Sequence, residues 1–512
     1  MNYFNPFVTT MAGQLSKIIL LLLLSIPFAG FAQSKKKVDI EQADAMQFDE
    51  KIVANAHRLL GNVIIRHNNI RMWCDSAYSY THANMVDAFG NVHILKDDTL
   101  HLYANFVNYN GDTKWAEAYG NVKLVNKTVT LTTDTLNYDM NRSIGYYDDY
   151  GTVQDSANTL NSKIGEYYTN IDKAFFKTDV DVVTSTYRLL SDTLIYEPQT
   201  GIASIVGPTT IYDEKDTLIA SEGFYNTKTG YSELFKRPVI KTEEQEVIAD
   251  SIFYNKTTGE GLARGDASVH DIKNKIFVKG KHITYNELQE TALVTDSAHL
   301  LFYSEKDTLF LHADTLRMVP DTIPNEKLIL AYFKVKFFRE DLQGKCDSLA
   351  YWSKDSTIQL YHQPVIWTGD NQMSSEYIEM ISIDKENQRI EMKRQAFIIA
   401  MEDSAKFNQI KGRNMTGFVR KNDLYKIDVD GNGQSIYYAR DDKGILGLNK
   451  AESSNIQIKL QESKVTRIAF ITSPDGELLP LLDIAEEDKQ LPGFIWLDAI
   501  RPKSFKDIFI QE

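Results

Sequence analysis

Apolar and polar residues alternate along most of this chain, and the alternation predicts β-strands rather than helices. In residues 86–94 the even positions are apolar or small, whereas the odd positions are mostly polar. The same period of two returns in residues 116–124 and 263–270. Turn-forming sequences such as Asn-Gly-Asp at residues 110–112 separate the alternating runs. We therefore expect short antiparallel strands with one dry face and one wet face.

A repeat of about 29 residues organises these predicted strands. The triplet Gly-Asn-Val begins at Gly61, Gly90 and Gly120. Weaker forms of the same marker keep the phase at Gly151, Thr178, Gly207, Arg237 and Gly265. A tyrosine that ends a strand-like run repeats with the same period, at Tyr80, Tyr109, Tyr138, Tyr168, Tyr196, Tyr225, Tyr254 and Tyr285. Fixed periods of this length are typical of stacked repeat proteins, so we predict an all-β repeat fold.

The repeat divides the chain into four predicted segments. Residues 1–32 read as a signal peptide cleaved after Ala32, because an apolar run follows Lys17 and small residues end it. An uncleaved anchor is the alternative, and Met11 is an alternative start. Regular repeats fill residues 33–318, and more divergent repeats fill residues 319–430. Residues 431–512 change in character and are interpreted as a C-terminal cap or docking element.

Composition and charge narrow the classes of function. The chain carries 70 acidic and 56 basic residues, a formal net charge of −14. Phosphate backbones need clustered Lys and Arg, so we expect no nucleic-acid partner. Only Cys74 and Cys346 are present, so an exported chain of 512 residues does not depend on a disulfide framework.

Residues with catalytic chemistry are spread along the repeat instead of converging. Four aspartates occupy equivalent positions in separate units, which favours strand-end hydrogen bonding over acid–base catalysis; they are Asp134, Asp192, Asp250 and Asp347. Residues 428–433 resemble the start of a calcium loop, but Ala439 stands where a bidentate Glu is required, so we predict a turn. We predict a protein that is not an enzyme and holds no metal or cofactor. A solenoid polysaccharide lyase is the enzymatic alternative.

Three marker runs, each followed by a strand rich in Asp, Ser and Thr, carry a resemblance to a known family. They are Leu59-Leu60-Gly61-Asn62-Val63, Asp87-Ala88-Phe89-Gly90-Asn91-Val92 and Glu117-Ala118-Tyr119-Gly120-Asn121-Val122. Over roughly residues 38–420 the chain resembles the OstA-like family, which includes the lipopolysaccharide-transport bridge LptA and the periplasmic domain of LptD. The resemblance implies an extended, open, twisted β-jellyroll in which a dry interior holds acyl chains and strand pairing extends both ends.

The resemblance also implies partners and a location. It implies a periplasmic carrier or bridge that shields the acyl chains of lipopolysaccharide or a related glycolipid on the way to the outer membrane. Strand-pairing partners would be an inner-membrane exporter and an outer-membrane translocon. End-to-end pairing of copies of this chain and association with the outer membrane are further alternatives.

The alternate positions that are apolar or small in each repeat supply the candidate groove residues. Many of these residues are small, including Gly90, Gly120 and Gly265, which leaves volume for acyl chains unless facing strands supply the bulk. The predicted lipid-binding residues are Val86, Ala88, Val92, Ile94, Ala116, Ala118, Val122, Leu124, Ile205, Ile211, Ala267 and Val269. If bulky residues such as Leu136, Tyr138, Leu194 and Tyr196 fill the interior, the chain is instead a structural or adhesive exported repeat protein.

Overall fold

A computed structural model describes most of the chain after the predicted signal peptide, which lies outside the described residues. The described ranges are 36–51, 53–212, 216–304, 307–323, 326–384, 386–403, 405–421, 423–441, 444–461, 464–480 and 484–510. Antiparallel strands dominate these ranges, which confirms the predicted all-β fold. The described helical elements are three short 3₁₀ turns, at Glu486–Lys489, Asp498–Ile500 and Asp507–Phe509.

The chain forms two compact units. The first comprises Met1–Lys127 and Thr135–Asn141, and the second comprises Thr128–Asp134 and Arg142–Glu512. The strand Val129–Asp139 therefore contributes residues to both. The other strands of the first unit are Asp39–Gln42, Ala45–Phe48, His57–His67, Ile70–Tyr80, Met85–Lys96, Leu100–Asn110 and Trp115–Asn126.

The second unit contains the remaining strands. As far as Thr315–Pro320 they are Ile144–Tyr147, Gly151–Gln154, Thr159–Ser162, Ile164–Tyr168, Lys173–Val183, Arg188–Glu197, Ile202–Ile205, Thr209–Tyr212, Thr217–Ala220, Glu222–Asn226, Tyr231–Phe235, Val239–Lys241, Gln245–Ile248, Ser251–Asn255, Glu260–Asp271, Ile276–Asn286, Thr291–Thr295, His299–Tyr303, Thr308–His312 and Thr315–Pro320. Longer strands follow, at Lys327–Arg339, Leu342–Trp352, Thr357–Tyr361, Val365–Thr368, Asn371–Ser374, Tyr377–Ser382, Asn387–Asp403, Lys406–Arg420, Asp423–Asp441, Gly444–Gln461, Lys464–Ile471 and Asp475–Pro480.

Each long strand bends at its repeat marker and so belongs to two walls. In Met85–Lys96, residues 85–89 pair with the strand segment that ends at Tyr80, and residues 92–96 pair with the segment that begins at Ile70. The register shifts between the two halves, where Gly90 and Asn91 both have positive φ. We name the wall that contains residues 85–89 the first wall and the wall that contains residues 92–96 the second wall. Because neighbouring strands are antiparallel, the next strand along the chain passes from the second wall to the first.

The predicted Gly-Asn-Val marker is therefore a corner between walls. Consecutive residues with positive φ recur at the predicted phase, at residues 61–62, 90–91, 120–121, 178–179, 236–237, 296–297, 362–363 and 394–395. Two further pairs of consecutive residues with positive φ lie beyond residue 430, where the repeat was predicted to end, at residues 431–432 and 472–473. Residues 428–433 lie inside the strand Asp423–Asp441, where Gly431 and Asn432 form a corner of the strand in place of the predicted turn. The predicted segment boundary at residue 431 falls on this corner.

The two walls of the second unit share one apolar core. Ile252, Ile283 and Leu316 of the first wall and Ala267 and Leu300 of the second belong to the same buried cluster. The hairpin turns of each wall lie at the end of the strands away from the corners. We call these two rows of turns the rims.

Residues 484–510 cross the outer face of the second wall. Gln372 Nε2 donates to the carbonyl of Ile495, and the N–H of Leu497 donates to Gln372 Oε1, both at 2.7 Å. Gln409 makes the same pair of bonds with Lys489 and Leu491, both at 2.8 Å. Two buried amides thus hold this C-terminal segment much as a neighbouring strand would.

Candidate functional site

Eight of the twelve predicted groove residues lie buried in the interior of the first unit. All are at most 1% exposed: Val86, Ala88, Val92, Ile94, Ala116, Ala118, Val122 and Leu124. Leu102, Tyr109 and Tyr138 share this interior and are also fully buried. Bulky side chains therefore lie beside the small ones in this interior.

The corner glycines correct one part of the sequence analysis. Gly90, Gly120 and Gly265 were expected to leave interior volume, but they lie at corners. An added Cβ on Gly90 would fall 2.3 Å from Asp75 Oδ2, and one on Gly265 would fall 2.2 Å from Asp250 Oδ2. The missing side chains at Gly90 and Gly265 therefore make room for corner carboxylates, and the one at Gly120 makes room for the side chain of Asn105.

The corner aspartates act locally, as predicted. Asn91 Nδ2 donates to Asp75 Oδ2 at 2.9 Å, and the backbone N–H of Asp266 donates to Asp250 Oδ2 at 3.2 Å. Each carboxylate thus links the corner in which it lies to the corner of the neighbouring strand. Predicted strand-end hydrogen bonding is confirmed for Asp250.

The second unit changes from a filled to an open interior along its length. Tyr147, Tyr167, Phe176 and Tyr196 are fully or almost fully buried in its first part. Beyond them lies a cavity of about 440 Å³, lined by residues between Tyr187 and Ile329. Inward-facing apolar side chains are packed in the first part of this unit, but those around the cavity are only half-buried.

Two of the twelve predicted groove residues line this cavity. Ile211 and Val269 contribute to its wall. Ile205 and Ala267 are buried in the same unit without lining it. Alternation therefore identified the inward face of the strands, whereas the position of the open volume depends on side chains contributed by facing strands.

The floor of the cavity is apolar and comes from both walls. Aliphatic side chains of consecutive strands dominate it; they include Leu218, Ile240, Val247, Val278, Val294 and Leu300. Each lies on the inward parity of a short strand, since successive side chains of a strand point to opposite faces. Sequence analysis missed these residues, although their alternation with polar residues marks the same parity.

The rim of the cavity is polar and carries charges of both signs. Asp216, Lys256, Glu287 and Glu290 lie there. The hydroxyl of Tyr254 donates to Glu287 Oε2 at 2.5 Å. Burial, reinforced by this carboxylate, raises the pKa of Tyr254, so the phenol stays protonated. A dry floor beneath a charged rim is the arrangement that an amphiphile requires.

Elsewhere hydrogen bonds join the two rims. In the first unit, the hydroxyl of Tyr109 lies 2.7 Å from His67 Nδ1, and Lys96 Nζ donates to the carbonyl of Met140 at 2.9 Å. In the second unit, the hydroxyl of Tyr196 donates to Asp155 Oδ2 at 2.6 Å. These bonds close the interior where it is also filled.

The two cysteines are free and buried. Burial raises the pKa of the Cys74 thiol to about 11 and raises that of Cys346 as well. Both are therefore neutral, weakly nucleophilic groups near pH 7. Within the described ranges, no three His, Cys, Asp or Glu side chains are grouped so that they could hold a metal ion.

Comparison with known families supports the first part of the chain. Residues 35–192 match the sequence model of the OstA-like protein family, which confirms the resemblance over that range. The family consists of periplasmic β-proteins related to lipopolysaccharide transport and is not enzymatic. The wider resemblance, to residue 420, stays a prediction. No curated protein matches the chain.

Candidate membrane helices were sought in the same described ranges. No helix there has both the length and the apolar character needed to cross a bilayer.

Proposed function

We propose that this chain is a periplasmic carrier or bridge that shields the acyl chains of lipopolysaccharide, or of a related glycolipid, during transport to the outer membrane. The observation that carries the proposal is the cavity between Tyr187 and Ile329, which has an apolar floor and a charged rim. The OstA-like match over residues 35–192 supports the same function.

The proposed mechanism is burial of apolar chain surface. Each methylene transferred from water to the floor contributes about 0.8 kcal/mol. Successive strands present similar aliphatic side chains, among them Leu218, Ile240 and Val247, at intervals of about 4.8 Å. Neighbouring positions along the floor therefore bind a chain almost equally well, and a lipid can slide between them. Energy for directed movement would come from a partner.

Unpaired strand edges at both ends support partners that add strands. Asp39–Gln42 and Ala45–Phe48 pair with His57–His67 and with no other described strand. Lys464–Ile471 and Asp475–Pro480 likewise pair only with Gly444–Gln461 among the described strands. Exposed edges are templates for strand addition. We propose an inner-membrane exporter and an outer-membrane translocon as the partners, with end-to-end pairing of copies as the other outcome.

Adjacent residues on one strand provide the test. Leu218 lines the cavity, whereas Ile219 points outward from the same strand and is 41% exposed. The full exported protein is titrated with a fluorescent apolar probe, N-phenyl-1-naphthylamine, which lipopolysaccharide then displaces. We expect Leu218→Glu to abolish probe binding and Ile219→Glu to preserve it. Equal binding by both variants would contradict the proposal.

The filled interior of the first unit favours a second candidate, a structural or adhesive repeat protein. Leu102, Tyr109 and Tyr138 are bulky side chains buried in that interior. A wild-type protein that is folded but binds neither the probe nor any lipid would support this candidate.

A further inference from the structure

The cavity of the second unit has a closed end formed by two tyrosines. The rings of Tyr187 and Tyr225 meet edge to face, with centroids 5.2 Å apart and planes at 80°. Both rings line the cavity. Next to them, Leu194 and Tyr196 are buried in the filled part of the same unit. A chain that runs along the floor toward lower residue numbers therefore meets a wall of aromatic rings.

The cavity is elongated. On the second wall it extends from Ile211 to Leu300, across strands paired in the order Thr209–Tyr212, Thr217–Ala220, Val239–Lys241, Gln245–Ile248, Glu260–Asp271, Ile276–Asn286 and His299–Tyr303. These seven strands give six spacings of about 4.8 Å, or roughly 29 Å. The volume of the cavity is about 440 Å³. An acyl chain that lies along the floor therefore crosses the strands one after another.

We propose that acyl chains lie lengthwise in this cavity and that Tyr187 and Tyr225 set the length of chain it accepts. The inference rests on the proposed lipid-carrying function and specifies its ligand as an amphiphile whose acyl chain reaches the closed end. Its head group lies at the rim beside charges of both signs, including Lys256 and Glu290. Its terminal methyl contacts the two tyrosine rings.

The ring of Tyr187, and not its hydroxyl, closes the cavity. The hydroxyl is buried and has no hydrogen-bond partner among the described residues. Burial also raises its pKa, so the group is neutral. An unsatisfied buried hydroxyl costs free energy and holds nothing in place. Tyr187→Phe should therefore keep the closed end, whereas Tyr187→Ala should lengthen the cavity.

The experiment measures chain-length selectivity in the full-length protein. A homologous series of straight saturated fatty acids displaces N-phenyl-1-naphthylamine from wild type, Tyr187→Phe and Tyr187→Ala. Affinity should rise roughly fourfold per added methylene until the chain reaches the closed end, and then stop rising. We expect the same limiting length for wild type and Tyr187→Phe and a longer limit for Tyr187→Ala.

A second variant changes the limit in the opposite direction. Ile211 lines the same end of the cavity, so Ile211→Phe should shorten the limit. Unchanged limits in folded Tyr187→Ala and Ile211→Phe would overturn the inference while leaving lipid binding intact. A wild-type protein that binds neither probe nor fatty acid would overturn the proposed function as well.

Discussion

Gly90 lies directly against the carboxylate of Asp75, and this contact fixes the corner between the two walls of the first unit. A Cβ on Gly90 would fall 2.3 Å from Asp75 Oδ2 and 3.0 Å from Asp75 Cβ. The φ angle of Gly90 is +72°, in the region that side chains with a Cβ seldom adopt. The corner therefore needs glycine both for its backbone conformation and for the space beside it.

Gly90→Ala should destabilise the first unit through both effects. Steric overlap and positive φ together are expected to cost about 2–4 kcal/mol, measured as a lower urea midpoint of unfolding. Gly369 supplies the matched control, because its φ is +55° and nothing lies within 4 Å of its absent Cβ. Gly369→Ala should lose less stability, because backbone strain is the only effect that opposes the added Cβ there. If the two variants lose the same stability, contact with Asp75 does not matter.

The interior of the first unit should reject a charge. Ala118 is 1% exposed, whereas its neighbour Tyr119 is 41% exposed on the outer face. An unpaired buried carboxylate costs about 3–5 kcal/mol, so Ala118→Glu should unfold this unit or lower its thermal midpoint sharply. Tyr119→Glu should change the midpoint little. A folded, stable Ala118→Glu protein would mean that the first unit also has an open interior.

Acid should weaken the rim contact at His67. Burial lowers the pKa of His67 below its ordinary value of 6.5, although the carbonyl of Lys36 partly opposes this shift. The unfolded chain then binds a proton more readily than the folded one. The stability that His67 contributes is therefore complete above pH 6.5 and is lost as the pH falls through its lower folded pKa.

Chemical unfolding between pH 7.5 and pH 5 tests this dependence. His67→Gln should flatten the decline in the free energy of unfolding, and exposed His82→Gln should leave it unchanged. The flattening is partial, since burial also lowers the pKa values of His93, His299 and His312. An identical pH profile for wild type and His67→Gln would contradict the assignment.

The C-terminal segment should detach when its buried amides are removed. Gln372 and Gln409 each make two hydrogen bonds to its backbone. The double variant Gln372→Ala and Gln409→Ala should expose residues 484–510 to limited proteolysis, while the rest of the second unit stays resistant. Exposed Gln363→Ala is the control. Protection of the segment in the double variant would show that the packing of Leu491, Phe494 and Trp496 suffices to hold it.

Sequence patterning predicted the strands and their phase because both are local. Gly61 and Gly90 mark corners through a backbone conformation that few other residues adopt, and alternation identifies the inward face. The position of the cavity was not predictable in this way. Whether Ala118 or Leu218 borders open volume depends on residues across the interior, many positions away in sequence.

The last corner carries no sequence marker, for a related reason. The corner at residues 472–473 is Thr-Ser and carries no glycine, although both residues have positive φ. Strands in this part are longer, as in Asp423–Asp441, so the period of about 29 residues no longer applies. In this part of the chain, residues 484–510 cover the outer face of the second wall, and that face is apolar.

The central claim is that the cavity of the second unit carries lipid, and mass spectrometry of co-purifying lipid tests it most directly. Wild type, Leu218→Glu and Ile219→Glu are each expressed from the full 512-residue sequence in a bacterium that makes lipopolysaccharide and purified without detergent. We predict that lipopolysaccharide or a related acylated glycolipid accompanies wild type and Ile219→Glu and is absent from folded Leu218→Glu. Lipid-free wild type, or equal lipid in all three proteins, would contradict the account.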